Sequence, residues 1–289
     1  MFISGFTFIK NAIINDYPIK EAISSILPIV DEMIVLVGDS TDNTLQYIQA
    51  IDSNKIKIHH SVWDKNLKNG GQVLADETNK ALALVNPQAD WAFYIQADEV
   101  VHEKYHQTIL NHCLLHLDNK KVMGLVFNYL HFYGNYQYYG DSRQWYSKEI
   151  RIIRPKPQEI FSYKDAQGFR WKNNQHLPCK LIPAFIFHYG WVKNPYKMEN
   201  KIKNSFQYWQ ENQHHIQTEF NFAFENHIDS IAEFKETHPF VMKERIRLQD
   251  WDIKFDVQKK RFNWSKKIMY WIEKKLGIRL FEFRNYDLI

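Results

Sequence analysis

At 289 residues the chain is long for one compact unit, so one large domain, or one and a half, is expected. Hydrophobic residues make up 45% and aromatics 16%, which fits a globular protein with a ring-rich cleft and excludes a disordered chain. The formal charge of +4 is too small to argue for nucleic acid, although it helps hold anionic groups such as diphosphates or lipid headgroups.

Phe2 to Ile9 is a β-type run; it lacks the basic start and small-residue cleavage site of a signal peptide and reads as a first strand. After Asp16 and Pro18, the positions Ile19, Ala22, Ile23, Ile26 and Leu27 fall at helical spacing until Pro28. Met33 to Val37 reads as a second buried strand, Asp42 as a helix N-cap, and Leu45, Ile48 and Ile51 as the stripe of the next helix. Lys55 to His59 alternates as a short strand. The polar stretch Asp64 to Gly71 leads into a helix with Leu74, Thr78, Ala81, Leu82 and Val85 on one face. Trp91 to Ile95 is the fourth strand, with Asp98 and Glu99 directly beyond it. A helix follows, with Tyr105, Leu110, Cys113, Leu114 and Leu117 on its apolar side.

Strands alternating with helices imply a mostly parallel sheet, and such sheets bind ligands in the crevice at the carboxyl ends of their strands. The acidic pair after strand four stands at that mouth. From Val122 to Arg154 the runs become strand-like, and helical stretches return over 196–215 and 259–276. The chain divides into a nucleotide-binding α/β part (1–120), an acceptor-side α+β part of the same catalytic domain (121–195) and a mainly helical extension (196–289). Cys113 and Cys179 have no CxxC spacing, so neither a disulfide framework nor a structural zinc is expected, and a reducing cytoplasm is the default. No stretch reaches the ~18 consecutive apolar residues of a membrane span, so any membrane contact is peripheral.

Four pieces in order resemble glycosyltransferase family 2, whose members have the GT-A fold: Thr7 to Asn11, Val30 to Val35, the run Asp39-Ser40-Thr41-Asp42-Asn43-Thr44, and Tyr94 to Glu99. The likeness covers residues 2–120 well and the remainder loosely. It implies an α/β fold of GT-A type, a mostly parallel nucleotide-binding sheet flanked by helices, with an α+β C-terminal extension. It also implies inverting transfer of a sugar from a nucleotide-diphosphate sugar to a glycan or lipid-linked acceptor in cell-surface polysaccharide synthesis. Lys10, Asn11, Asp39, Gly71, Asn79, Gln96 and Asp98 are the residues expected at the nucleotide sugar. The family's acidic motif, DXD, reads Gln96-Ala97-Asp98 here, so its first charge is absent.

The chemistry supports the same reading. A departing diphosphate concentrates negative charge, which a divalent cation or basic side chains must neutralise. Magnesium or manganese takes one or two protein carboxylates and fills its shell with phosphates and water, so Asp98 suffices as an anchor. His188, in Phe187-His188-Tyr189-Gly190-Trp191, resembles the late histidine that completes this site; the alternative is a histidine satisfied by backbone in an aromatic core. Direct displacement needs one carboxylate to take the acceptor proton, and both Asp165, in a polar turn, and Glu149, just before a strand, are candidates. Arg143, Arg151, Arg154 and Arg170 crowd the same region, where one guanidinium could clamp a diphosphate.

Three other readings are carried forward. A catalytically silent GT-A domain that binds nucleotide or glycan without transfer is motivated by Gln96 and by the missing acid at the end of the second strand. His102-Glu103-Lys104-Tyr105-His106 spells H-E-x-x-H, which on a helix aims two histidines at a zinc ion. The basic amphipathic stretch 259–276 either lies on the inner face of an anionic membrane or packs its stripe onto the catalytic domain.

Overall fold

The computed structural model describes residues 1–67, 70–206, 224–277 and 279–289. The elements in chain order are β1 (Ile3–Ile9), α1 (Ile19–Ile26), β2 (Glu32–Val37), α2 (Thr44–Gln49), β3 (Ile56–His60), α3 (Gln72–Ala83), β4 (Trp91–Tyr94), β5 (Glu99–Val101) and α4 (His106–Leu115). They continue with β6 (Gly124–Gly140), β7 (Lys148–Ile153), β8 (Ile160–Tyr163), β9 (Gly168–Trp171), β10 (Leu177–Val192) and α5 (Pro195–Phe206). The last are β11 (Ile231–Glu233), α6 (Lys243–Arg247), α7 (Trp264–Leu276) and β12 (Tyr286–Leu288).

The main sheet runs β12-β10-β6-β7-β4-β1-β2-β3, with β5 paired to β10 and β11 to β6. Strands β3, β2, β1 and β4 are mutually parallel, and β7 enters antiparallel between β4 and β6. This is the α/β class expected from the alternation, and the sheet crosses all three stretches distinguished in the sequence. Every residue of β2 is buried, as both faces of a parallel strand must be when helices cover them. Period-two alternation sends Met33, Val35 and Val37 into the core shared with α1, while Ile34 and Leu36 join Ala81 and Leu82 of α3 on the other face.

Several local expectations are corrected. Asp42 does not occupy the cap position of α2, which is Asn43; its carboxylate instead accepts from Thr44 N and from Ile13 N and Ile14 N, pinning the loop after β1 to the head of α2. On α4 the buried face is Ile109 and Cys113, and Leu114, one position further round, is exposed. The helix expected over 259–276 begins at Trp264. That over 196–215 is described as far as Phe206, and the rest lies outside the described residues. Among the described residues no helix is long and apolar enough to cross a membrane.

One buried ion pair joins the two halves of the sheet. Glu99, at the start of β5, and Arg151, in β7, are both fully buried and paired through both carboxylate oxygens, Nε to Oε2 at 2.8 Å and Nη2 to Oε1 at 2.7 Å. Tyr129 OH and Gln96 N also donate to Glu99, and Arg151 Nη1 donates to Gln167 O at 2.7 Å. Charges taken this far from water are tolerated only when their hydrogen-bonding capacity is filled. Glu99→Gln leaves the guanidinium without a counter-charge and should cost about 3–5 kcal/mol, read as a lowered denaturant midpoint at unchanged slope.

Candidate functional site

The parallel strands end at a cavity of about 410 Å³. Its walls are the end of β1 (Phe8, Ile9, Lys10), Trp63, the turn Gln96-Ala97-Asp98, His131 and Tyr146, the turn Asp165-Ala166-Gln167, His188 and Trp191, and Lys201 of α5. Local features explain its shape. Strand β10 has irregular register between His188 and Trp191, and Tyr189 N donates to Asp98 O at 2.8 Å, so the acidic turn is stitched to the histidine strand. Gly190 makes this approach possible, because a Cβ there would lie 2.6 Å from Asp98 Oδ2 and 2.8 Å from the His188 ring.

Asp98 and His188 face each other, with Oδ2 to Nε2 at 3.7 Å. The hydrogen-bond chain behind them assigns the protons. His131 Nε2 lies 2.8 Å from Tyr146 O, and a carbonyl only accepts, so that nitrogen carries hydrogen. Burial pushes His131 well below the usual histidine range, so it is neutral and its Nδ1 is an acceptor. His188 Nδ1, 3.2 Å away, is therefore the donor, which leaves the His188 Nε2 lone pair bare and directed at Asp98. Burial also depresses His188, against the pull of Asp98. Burial by itself would raise the Asp98 carboxyl, but His188 whenever its ring is protonated, together with the ammonium groups of Lys201 and Lys193, outweighs it and holds Asp98 below the usual carboxylate range.

An anionic oxygen and a bare nitrogen at this separation call for a positive charge between them. Lys201 Nζ stands 3.4 Å from Asp98 Oδ2 and donates to Gly190 O at 2.8 Å. Burial lowers the Lys201 ammonium, and Lys193 next to it, fully buried, is pushed down further. Both sit near the ring of Tyr17. The carboxylate oxygen suits magnesium or manganese, and the neutral imidazole nitrogen beside it is a softer donor that suits manganese better than magnesium. No group of three His, Cys, Asp or Glu capable of holding a metal exists among the described residues, so such an ion would draw its remaining ligands from phosphate and water.

Of the residues expected at the site, Lys10, Gln96, Asp98, Asp165 and His188 line the cavity. Asp39 stands directly behind Lys10, bonded to its ammonium at 2.7 Å and accepting from Trp63 N; burial would raise its carboxyl, and these partners bring it below the usual range. Asn11, with φ 54°, accepts from Thr41 N and shapes the loop rather than the wall. Gly71 occupies the left-handed cap of α3, and Asn79 bonds both backbone groups of Ser162, tying α3 to β8. Gln96 spends its amide on Ala166 O, which holds the Asp165 turn against the acidic turn.

Glu149 is buried behind that turn. One carboxylate oxygen accepts from Asn285 and the other has no partner, and burial pushes its pKa up to about 8. The arginines expected near a diphosphate lie elsewhere: Arg151 is locked to Glu99, Arg154 sits over Trp91 bonded to carbonyls, Arg170 pairs with Asn285, and Arg143 reaches Glu273 and Leu280 O. Among the described residues, the lysines on the cavity wall are Lys10 and Lys201. Lys193, Lys201, Tyr17 and His131 were not singled out from sequence; the one available signal was Lys193 closing the aromatic strand that carries His188.

The H-E-x-x-H reading fails on geometry. His102 caps a 3-10 turn ahead of α4, receives Lys104 N at Nδ1 and meets Thr237 at Nε2, whereas His106 Nε2 meets Ser25 O. The two rings are not on one helical face and do not share a ligand position. Both cysteines are free and buried.

No protein-family model and no curated protein matches the chain. Among solved structures, S. aureus TarS in complex with UDP is similar over 47% of this chain and 37% of its own, at 20% identity and a TM-score of 0.32. Glucosyl-3-phosphoglycerate synthase from Mycobacterium tuberculosis, in complex with Mn2+, UDP-glucose and glycerol 3-phosphate, is similar over 44% of each chain, at 21% identity and a TM-score of 0.32. A further S. aureus TarS structure covers 71% of this chain and 39% of its own, at 14% identity and a TM-score of 0.40. The chain spans less than half the length of each of these neighbours.

Glu149 gives a pH signature. Its raised pKa means the folded protein holds a proton that the unfolded chain releases near pH 4.5, so this group's contribution to stability falls as pH rises from about 5 towards 8. Glu149→Gln should remove that loss. The stability difference between variant and parent should grow in the variant's favour across that window, measured by denaturant unfolding at stepped pH.

Proposed function

We propose that the chain is a nucleotide-sugar glycosyltransferase of the family-2, GT-A type, which inverts the anomeric centre while moving a sugar onto a glycan or lipid-linked acceptor in cell-surface polysaccharide synthesis at the cytoplasmic side of a membrane. The observation that carries the reading is the facing pair of Asp98 carboxylate and bare His188 Nε2 on a cavity at the carboxyl ends of parallel strands. A magnesium or manganese ion held by these two residues would neutralise the leaving diphosphate.

The chain's own groups supply the rest. Phe8 and Trp63, with ring centroids 5.7 Å apart, form an aromatic wall at the nucleoside end, with Lys10 anchored beside it by Asp39. Lys201 offers a second positive charge to the departing phosphates and quenches Asp98 when no donor is bound. Asp165, in the turn across the cavity, is the base: burial raises its carboxyl, which improves its power to take the acceptor hydroxyl's proton in the displacement. Glu149 is set aside as base because it faces Asn285 and the protein interior.

Gln96 also favours a second reading, a silent domain that binds a nucleotide sugar without transfer, since its amide is engaged with Ala166 O where the family motif has an acid. Thermal shift with a panel of nucleoside diphosphates, with and without manganese, followed by donor turnover with lysate glycans, separates the two. Stabilisation without turnover of any donor supports the silent domain, and no stabilisation by any nucleotide removes the transferase and leaves only a glycan-binding form of the silent domain.

Asp165→Asn should lower kcat by about 10²- to 10⁴-fold at unchanged donor affinity, while Glu149→Gln keeps kcat near the parent value. Equal loss in the two would displace Asp165. His131→Phe should weaken manganese-dependent nucleotide affinity by roughly 10- to 100-fold through loss of the ring that orients His188, with metal-free nucleotide binding little changed.

A further inference from the structure

We infer that α7 and the segment after it form a docking face for an anionic membrane surface, and that this face brings the acceptor side of the cavity to acceptors carried on membrane lipids; the acceptor half of this inference rests on the transferase reading above. The apolar stripe of α7 does not pack onto the catalytic body. None of its residues is buried, and Trp264 is 78% and Trp271 57% exposed. Trp264, Ile268 and Trp271 follow one another at spacings of four and three, so they share one outward face. Lys267 and Lys275 flank that face, the Lys275 ammonium lying 4.9 Å from the Trp271 ring.

The opposite face holds the helix to the body through polar groups. Tyr270 OH donates to Asp141 at 2.7 Å, and Glu273 pairs with Arg143 and Arg279. The two tryptophans thus face outward, while the half-buried inward side combines these polar contacts with Met269 and Ile272. Beyond the left-handed cap at Gly277, Phe281 and Phe283 are two further outward rings, 88% and 74% exposed.

Charge chooses the partner. From Lys259 to the end there are nine basic and three acidic residues, whereas the remainder of the chain has 28 basic and 30 acidic. The positive excess of the chain therefore lies in the segment that carries the aromatic rings; Lys260, Lys266 and Lys274 spend part of it on Asp141 and Asp229 of the body. Acidic polymers would need the lysines but not the exposed tryptophans and phenylalanines; a bilayer of anionic lipids takes the rings into its interface and the ammonium groups among its headgroups. Position gives the face a purpose. Phe283 lines a smaller cavity of about 160 Å³ together with Asp165 and Gln167, and these two also line the main cavity.

The test is cosedimentation of the full chain with vesicles of phosphatidylcholine alone and of equal parts phosphatidylcholine and phosphatidylglycerol. Binding should be at least about tenfold tighter on the anionic vesicles and weaken with salt, and W264S/W271S should lower it by about tenfold or more. The nucleotide-induced thermal shift of W264S/W271S should equal that of the parent. Failure to bind anionic vesicles overturns the docking face, as does equal binding to both vesicle types. Binding unaffected by W264S/W271S overturns it too, since the patch would then be a general anion-binding surface. Vesicle binding in a protein that no nucleotide stabilises would uphold the docking face and remove the lipid-acceptor assignment along with the transferase reading.

Discussion

The site depends on a carboxylate and a guanidinium that have no contact with solvent. Glu99 and Arg151 pair at the junction where the parallel sheet of the first half meets the mixed strands of the second, and each also holds one turn of the cavity wall. Through Gln96 N, Glu99 sets the backbone that presents Asp98; through Gln167 O, Arg151 sets the turn that presents Asp165. The packing of Arg151 near the rings of Tyr94 and Tyr129 seals the pair from water. Two turns far apart in sequence thus keep a fixed separation, which preorganised catalysis and metal binding both require.

Around that anchor the cavity is built from groups whose charge states are decided by neighbours. His131 is neutral because it is buried, its proton is placed by Tyr146 O, and this in turn settles which nitrogen of His188 faces Asp98. Asp98 stays anionic in a desolvated site because the ammonium groups of Lys201 and Lys193 lie close to it. Both lysines are depressed by the same burial, so the balance of positive charge against Asp98 is sensitive to any phosphate or cation that enters.

The C-terminal stretch performs two tasks with one set of residues. Its inward groups close the second half of the molecule: Asn285 stacks up behind Glu149 and Arg170, and β12 extends the main sheet beside β10. Its outward groups leave Trp264, Trp271 and Phe281 exposed, and Phe283 lines the smaller cavity beside Asp165 and Gln167. Tyr270 and Glu273 anchor the helix on the side away from Trp264 and Trp271, which stay exposed.

Periodicity in residues 2–120 was sufficient to read β1 to β4 and the helices between them, because a strand buried on both faces or an amphipathic helix must write its packing into local spacing; the short β5, which carries Glu99 away from the expected mouth and pairs with distant β10, was not legible there. The same periodicity also placed Asp98 at the sheet mouth, since an acid following a buried strand can only emerge at the strand's carboxyl end. What local spacing could not decide was which distant groups surround that acid. His131, Lys193 and Lys201 reach Asp98 only through the pairing of β6 with β10 and the return of α5, contacts separated by tens of residues in the chain. The roles of Glu149 and the arginines went the same way: a carboxylate or guanidinium looks alike in sequence whether it lines a cavity or is sealed in the interior, and only the tertiary structure, by withdrawing water from one and not the other, separates them.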